Sequence, residues 1–282
     1  MGTNQDIEEY FEFAKQLALQ AGEILKNSLD REKVVHIKGN YRDLVTEQDK
    51  AIENILISNL SKKYPDHKFI AEESHNKNEP LELTDAPTWI IDPIDGTVNF
   101  VHGFSQCCIS IGLAINKEIQ LGIINNPHHN ELFTAKKGQG AFLNDKKISA
   151  SNIKKLELAL INLEPSLLKW GPKRDITLGR IEALSQVADG VRNVGSAVMG
   201  LSYVARGIID AFHMDHLHPW DVAAGCLLVR EAGGTVIDSK GGNFNIMKPM
   251  TLATGTEALA TEISKLINET DLQTQRRRLK RT

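Results

Sequence analysis

Residues 89–100 read WIIDPIDGTVNF, an apolar run that stops at Asp92 and Asp95, two carboxylates separated by Pro93 and Ile94 and followed by Gly96 and Thr97. An acid at a strand end is ordinary, because turns face water and Asp starts them readily. On that reading DPIDGT is a polar turn, with Pro93 fixing one dihedral and Gly96 relieving another. Other segments weigh against it. FIAEES, residues 69–74, also ends an apolar run in carboxylates, Glu72 and Glu73, and neighbouring strand ends can meet in a sheet. Asp221 follows Trp220 and opens the apolar helical stretch WDVAAGCLLVREAGG, where an acid can cap the helix and still point outward from its end. Asp49 stands three residues after Thr46, a capping-box spacing at the start of a second helix.

If these acids converge, electrostatics decides between the readings. Two unit charges about 4 Å apart interact by roughly 4 kcal/mol at an effective dielectric of 20. Clustered carboxylates must therefore take up protons or bind a cation. All-oxygen donors suit hard ions, and Mg2+ favours a few carboxylates together with waters and substrate phosphate. The spacing also separates two phosphatase chemistries. A phospho-aspartyl enzyme of the haloacid dehalogenase type needs Asp-x-Asp, with both acids on one side of an alternating strand. Here the chain turns between the acids, which frees the Ile94 carbonyl as a further oxygen ligand and leaves the Gly96 and Thr97 amides for a phosphate.

The 282-residue chain is long enough for a substantial core in one α/β unit or two smaller domains. Its 33 Lys and Arg against 36 Asp and Glu give a formal charge of -3, so nothing draws it globally to nucleic acid or anionic membrane. Phosphate chemistry has to be local. A basic start followed by an apolar stretch is missing from MGTNQDIEEYFEFAKQ, and no run of about 18 apolar residues occurs anywhere. A cytoplasmic protein with no membrane partner is expected. Cys107, Cys108 and Cys226 are odd in number and read as reduced, core-packed thiols.

Ile7, Phe11, Ala14, Leu17, Ala18, Ala21 and Leu25 recur at helical spacing, as do Ile52, Ile55, Leu56 and Leu60 within a helix predicted over 46–63. CISIGLAI, IQLGIINNP and ELFTA, punctuated by NKE, PHHN and KKGQG, predict an antiparallel meander. Beyond Ser151 strands and helices alternate, with the last helix near Glu257 to Asn268. The division expected is an N-terminal α+β half, 1–150, carrying most of the acids, and a C-terminal α/β half, 151–270, carrying Asp221. A basic, disordered tail, 271–282, would follow. The charge of QTQRRRLKRT lacks the aromatic or Gly-rich company of a nucleic-acid arm, so no nucleic acid is expected.

The order and spacing of DLVTEQD (43–49), FIAEES (69–74), WIIDPIDGTVNFVHGF (89–104), GQGAFLN (138–144), VRNVGSA (191–197) and WDVAAG (220–225) resemble the inositol monophosphatase family. That family lies within the lithium-sensitive, Mg2+-dependent phosphatase superfamily, and the resemblance runs to about Asn268. It implies a layered α-β-α-β-α sandwich with an antiparallel N-terminal sheet and a mixed C-terminal one. It also implies a homodimer that hydrolyses a phosphomonoester, inositol monophosphate first, by metal-activated water. Carried over residue by residue, Glu72, Asp92 and the Ile94 carbonyl would hold one Mg2+, and Asp92, Asp95 and Asp221 a second. A third ion would lie near Glu72, and Li+ would displace the second. Thr97, hydrogen-bonded to Asp49, would orient the attacking water. The Gly96 and Thr97 amides would hold phosphate, and Gly195, Ser196 and Ala197 would line the alcohol.

One position departs from the pattern. The family's acidic alcohol contact falls on Met214, beside Asp215, and a local bulge would bring Asp215 into its place. Hydrogen bonds to charged groups contribute about 1.5–3 kcal/mol, so the substitution bears on which alcohol is preferred. A phosphatase for another small sugar or nucleotide phosphate is the alternative, and an inactive binding relative the more distant one. His213, His216 and His218 raise zinc, which needs convergent nitrogens; a polar loop is the favoured reading. His128 and His129 read as hairpin-turn residues, and Trp89 and Trp170, the latter beside Gly171 and Pro172, as packing residues.

Overall fold

The computed structural model describes residues 4–37, 44–76, 79–169 and 174–279. Asp43, Trp170, Gly171, Pro172 and the last three residues of the basic tail lie outside them. The opening stripe becomes α1 (Asn4–Ser28), and a short ribbon, β1 (Val35–Ile37) with β2 (Leu44–Thr46), precedes α2 (Glu47–Lys63). Then come β3 (Lys68–Ala71), β4 (Thr88–Asp95), α3 (Thr97–Val101), β5 (Cys108–Ile115), β6 (Glu118–Asn126), β7 (Glu131–Lys136), β8 (Gly140–Leu143) and β9 (Lys146–Ile148). The second half holds β10 (Leu160–Asn162), α4 (Arg174–Val187), β11 (Gly190–Arg192), α5 (Ala197–Ala205) and β12 (Ala211–Asp215). It closes with α6 (Pro219–Glu231), β13 (Thr235–Asp238), β14 (Met250–Thr254) and α7 (Glu257–Leu279).

Strands β3 to β9 pair in sequence order as a seven-stranded sheet, antiparallel except where the edge strand β3 runs parallel to β4. The five-stranded sheet, in order β11-β10-β12-β14-β13, mixes parallel and antiparallel pairs. Alternation along each strand assigns its faces. Leu17, Leu25 and Leu56 from α1 and α2 pack on Trp89, Ile91 and Ile111. Met199 and Leu228 from α5 and α6 lie between Phe133 of the first sheet and Phe212 and Ala253 of the second. Leu184 and Ile263 from α4 and α7 cover Ile161 and Ala211. The layers are therefore α-β-α-β-α. Cys107, Cys108 and Cys226 are free and buried, with burial pushing the Cys107 and Cys226 thiols up to about 12. Among the described residues no helix is long and apolar enough to cross a membrane.

Helix α6 approaches the first sheet closely because two glycines face each other beneath it. Gly112 and Gly122 are cross-strand partners, and a Cβ on Gly122 would lie 2.9 Å from the Ala224 Cα while one on Gly112 would lie 3.0 Å from the Ala223 Cβ. The small residues of WDVAAG thus sit on backbone. At the other end of α6 the Glu231 carboxylate accepts hydrogen bonds from the Gly138 and Gly140 amides at 2.7 and 2.8 Å, so GQG ties the β7–β8 hairpin to this helix.

The basic tail is corrected. Helix α7 continues to Leu279 instead of ending near Asn268. The reason is Asp271, buried on that helix and held bidentately by Arg180 of α4, Nε to Oδ1 at 2.8 Å and Nη2 to Oδ2 at 2.7 Å. Arg278 reaches Asp175 at 3.0 Å, and arginines in a last turn also suit the helix dipole.

Two outcomes follow from this packing. Gly122→Val should cost about 1–3 kcal/mol by overpacking against α6, read as a lower urea midpoint at unchanged slope. His213, its side chain 10% exposed, sits among Arg180 of α4, Asp215 of its own strand and Asp271 of α7, and desolvation is the main reason its pKa lies below the ordinary value. Its Nδ1 is 3.2 Å from the Thr251 carbonyl and its Nε2 is 3.4 Å from Arg180 Nη1, which fits a neutral ring donating from Nδ1 and accepting at Nε2. Because the unfolded chain binds the His213 proton first, stability should fall as pH drops below about 6.5. His213→Gln should shallow that decline in urea titrations run from pH 7 downward, and an equal decline in both proteins would refute the assignment.

Candidate active site

The acids meet at one edge of the first sheet, and the backbone explains each arrival. Parallel pairing makes β3 and β4 end at the same edge, and the Glu72 amide donates to the Ile91 carbonyl at 3.2 Å, which sets Glu72 beside Asp92. Residues three apart on a regular strand point to opposite faces. Between Asp92 and Asp95 the register against β5 shifts: Asp92 faces Ser110 while Asp95 faces Cys108. This bulge absorbs one residue, so both carboxylates project toward α6 while the Ile94 side chain turns into the opposite core. The Ile94 amide donates to Asp92 Oδ1 at 3.1 Å and closes the turn.

Asp221 arrives from the far side. It is the third residue of α6, after Pro219, and its Oδ2 accepts from the His218 amide at 2.6 Å. Ligand atoms of Asp92, Asp95 and Asp221 all lie within 4.8 Å of one another. Burial, then the charges of Glu72, Asp95 and Asp221, raises the Asp92 carboxyl well above its usual range. Burial and Asp221 push Asp95 up to about 7, against the downward pull of hydrogen bonds from Ser196 and Val198. Such a set is poorly balanced alone and well balanced around a hard cation, because every donor is oxygen.

Asp49 is fully buried on α2. Its Oδ2 accepts from the Thr46 amide at 2.8 Å and from the Thr46 hydroxyl, completing the capping box, and its Oδ1 lies 3.5 Å from the Thr97 hydroxyl. That hydroxyl is also 3.1 Å from the Ile94 carbonyl, so Thr97 has two acceptors within reach of one proton. Gly96 stands before α3 at φ 86°, where a Cβ would come within 2.8 Å of the Gln106 carbonyl. Only glycine fits there. Ser196 caps α5, and its hydroxyl donates to Asp95.

One sequence-based expectation changes. Asp215 does not reach the site: β12 pairs with β14 in unbroken register from Ala211 to Asp215, so no bulge turns it. It projects with His213 toward α4 and is ion-paired with Arg180, which together with His213 pulls its pKa down against the effect of burial. Met214 instead packs against the core between the two sheets. The three histidines do not converge, since His213 lies against Arg180 while His218 is 60% exposed and stacks on Trp220. Sequence reasoning missed Glu53, one helical turn after Asp49 and 3% exposed, whose Oε2 accepts from the Glu73 amide at 2.8 Å. A charged residue inside the apolar stripe of α2 was the available signal.

Comparison with known proteins follows the same geometry. The sequence profile described as the inositol monophosphatase family matches residues 6–272. The chain belongs to this family. Inositol monophosphatase 2 of Rattus norvegicus is 42% identical over 266 residues, covering 92% of this chain and 90% of that protein. The Thermotoga maritima IMPase structure superposes with a TM-score of 0.84 at 32% identity, over 94% of this chain and 99% of that one. SaIMPase-II has been solved with inositol monophosphate bound, at 26% identity and TM-score 0.79 over 97% of this chain and 100% of that one. It has also been solved with 2'AMP bound, at TM-score 0.80. The chain is therefore a phosphatase of a metal-dependent family, with an acidic cluster able to hold metal.

Metal-free Asp92→Asn should melt no lower than the unsubstituted protein, because it removes a carboxyl whose ionised form burial and its acidic neighbours oppose. A divalent cation should raise the melting temperature of the unsubstituted protein far more than that of the variant. Scans with and without chelator measure both, and a variant that gains as much from the cation would sink the assignment.

Proposed function

We propose that the protein hydrolyses inositol monophosphate to inositol and phosphate and depends on Mg2+. The observation that carries this is the convergence of Asp92, Asp95 and Asp221 within 4.8 Å, with Glu72 beside Asp92. Two ions would be held, one by Glu72, Asp92 and the Ile94 carbonyl and one by Asp92, Asp95 and Asp221, with a weaker third near Glu72. The chemistry Mg2+ supplies when bound is a lowered water pKa and neutralisation of charge developing on the phosphoryl and leaving oxygens. Asp49, desolvated and fixed by Thr46, accepts the Thr97 proton, and Thr97 in turn orients water at the phosphorus together with Glu72. The Gly96 and Thr97 amides hold the phosphate, and Gly195 and Ala197 border the alcohol. Lithium inhibition is expected at the Asp221 ion. A homodimer in the cytoplasm is supported by the family likeness alone.

A second reading, hydrolysis of another small sugar or nucleotide phosphate, is favoured by Met214, which offers a thioether where an acid would accept hydroxyls. That a 26% identical relative has been solved with 2'AMP supports keeping it. Phosphate release should be measured from a panel including inositol 1-phosphate, sugar phosphates and 2'AMP, with and without Mg2+, and Asp95→Asn as control. Release that needs Mg2+ and Asp95 is expected. Met214→Glu should raise the preference for inositol 1-phosphate by about tenfold to a hundredfold, the range of one hydrogen bond to a charged group. Absence of metal-dependent release from every substrate would overturn the enzymatic reading, and an unchanged preference would overturn the role of Met214.

A further inference from the structure

Ser196 lies in the stretch expected to line the alcohol, yet its hydroxyl is engaged elsewhere. It donates to Asp95 Oδ2, and the Val198 amide donates to the same oxygen at 2.9 Å. The Ser196 Oγ also accepts from the Met199 amide at 3.1 Å as the cap of α5. Its donor and one acceptor site are therefore spent inside the protein, and the residue is 4% exposed. The backbone around it is clamped. Asn99 of α3 donates to the Gln106 carbonyl at 2.7 Å and to the Val194 carbonyl at 2.9 Å, and Gly195 bends past the Asn99 side chain at φ 72°. A Cβ on Gly96 would lie 3.2 Å from that of Ser196, so the two turns interlock at the phosphate-side end of β4.

We infer that Ser196 is a positioning residue for the metal centre and not an alcohol contact: its hydroxyl fixes the plane of the Asp95 carboxylate and leaves Oδ1 as the oxygen that would hold a cation together with Asp221. This rests on the metal-dependent reading above. Two donors on Oδ2 hold the carboxylate against rotation, and a ligand held in place binds a hard ion with less reorganisation. The α5 cap thereby makes residues from the second half of the chain part of a ligand on β4.

The test uses the full-length protein stripped with chelator and titrated calorimetrically with Mg2+ alone, without substrate. Ser196→Gly keeps an acceptable cap, costing only a few tenths of a kcal/mol, but loses the hydroxyl. It should weaken Mg2+ binding by about tenfold to a hundredfold, the loss expected for a hydrogen bond to a charged group. Ser196→Thr should restore it. At saturating Mg2+ the KM for inositol 1-phosphate should stay unchanged in both variants. If the Gly variant does not fold by circular dichroism, Ser196→Ala answers the same question. Mg2+ affinity unchanged in the hydroxyl-free variant would overturn the inference, as would a raised KM at unchanged affinity, which marks a substrate contact. An unsubstituted protein that binds no Mg2+ would instead overturn the metal-dependent reading itself.

Discussion

Asp221 can meet Asp92 and Asp95 only because α6 rests with its backbone on the trough formed by Gly112 and Gly122. Any side chain at Gly122 would lift the helix, since a Cβ there already stands 2.9 Å from the Ala224 Cα. The approach also explains the run of small residues after Trp220, which would otherwise read as a weak helix face. Glu231 fixes the other end of α6 through the Gly138 and Gly140 amides, so the helix is held at both termini. The position of one carboxylate is thus the product of four glycines and a distant acid, none of which touches the site.

Close approach creates the site's electrostatic problem. Burial and mutual repulsion push Asp92 and Asp95 upward, and the fold answers with donors aimed at the acids: the Ile94 amide on Asp92, Ser196 and Val198 on Asp95, the His218 amide on Asp221. Each donor orients an oxygen as well as partly offsetting its charge. None supplies a full positive charge, and the remaining imbalance is of the kind that a cation held by oxygen donors would offset.

Much of this was legible in the sequence, for reasons that differ by residue. The helical stripes of α1 and α2, the Thr46–Asp49 cap and the strand over 88–95 follow from local periodicity and capping chemistry, which need no tertiary information. The convergence of Glu72 with Asp92 was not derivable from spacing, because parallel pairing of β3 across a long connection is a tertiary choice; there the family resemblance carried the expectation. Strands β8 and β9 were missed although Asn144 and Asp145, both at positive φ, form the kind of two-residue turn that hairpins favour. The end of α7 was missed because the partner that orders it, Arg180, lies on another helix. A run of arginines looks solvated until an acid such as Asp271 is seen to be anchored inside.

The division of labour at the end of β12 follows from strand alternation. Successive residues face opposite layers, so Met214 and Asp215 cannot both serve the same side. Asp215 faces α4, where Arg180 joins it to Asp271 and so binds β12 to the outer helices. Removing one partner of such a buried set leaves a charge uncompensated, a loss of about 3–5 kcal/mol. The acid at 215 is therefore committed to stability, and recruiting it to substrate would require a bulge that the continuous β12–β14 register excludes. Met214 faces the other layer, against the core between the two sheets, where a substitution leaves the ion pair behind it undisturbed. The clustered acids Asp92, Asp95 and Asp221 stand on other elements, β4 and α6, so position 214 can vary without moving them.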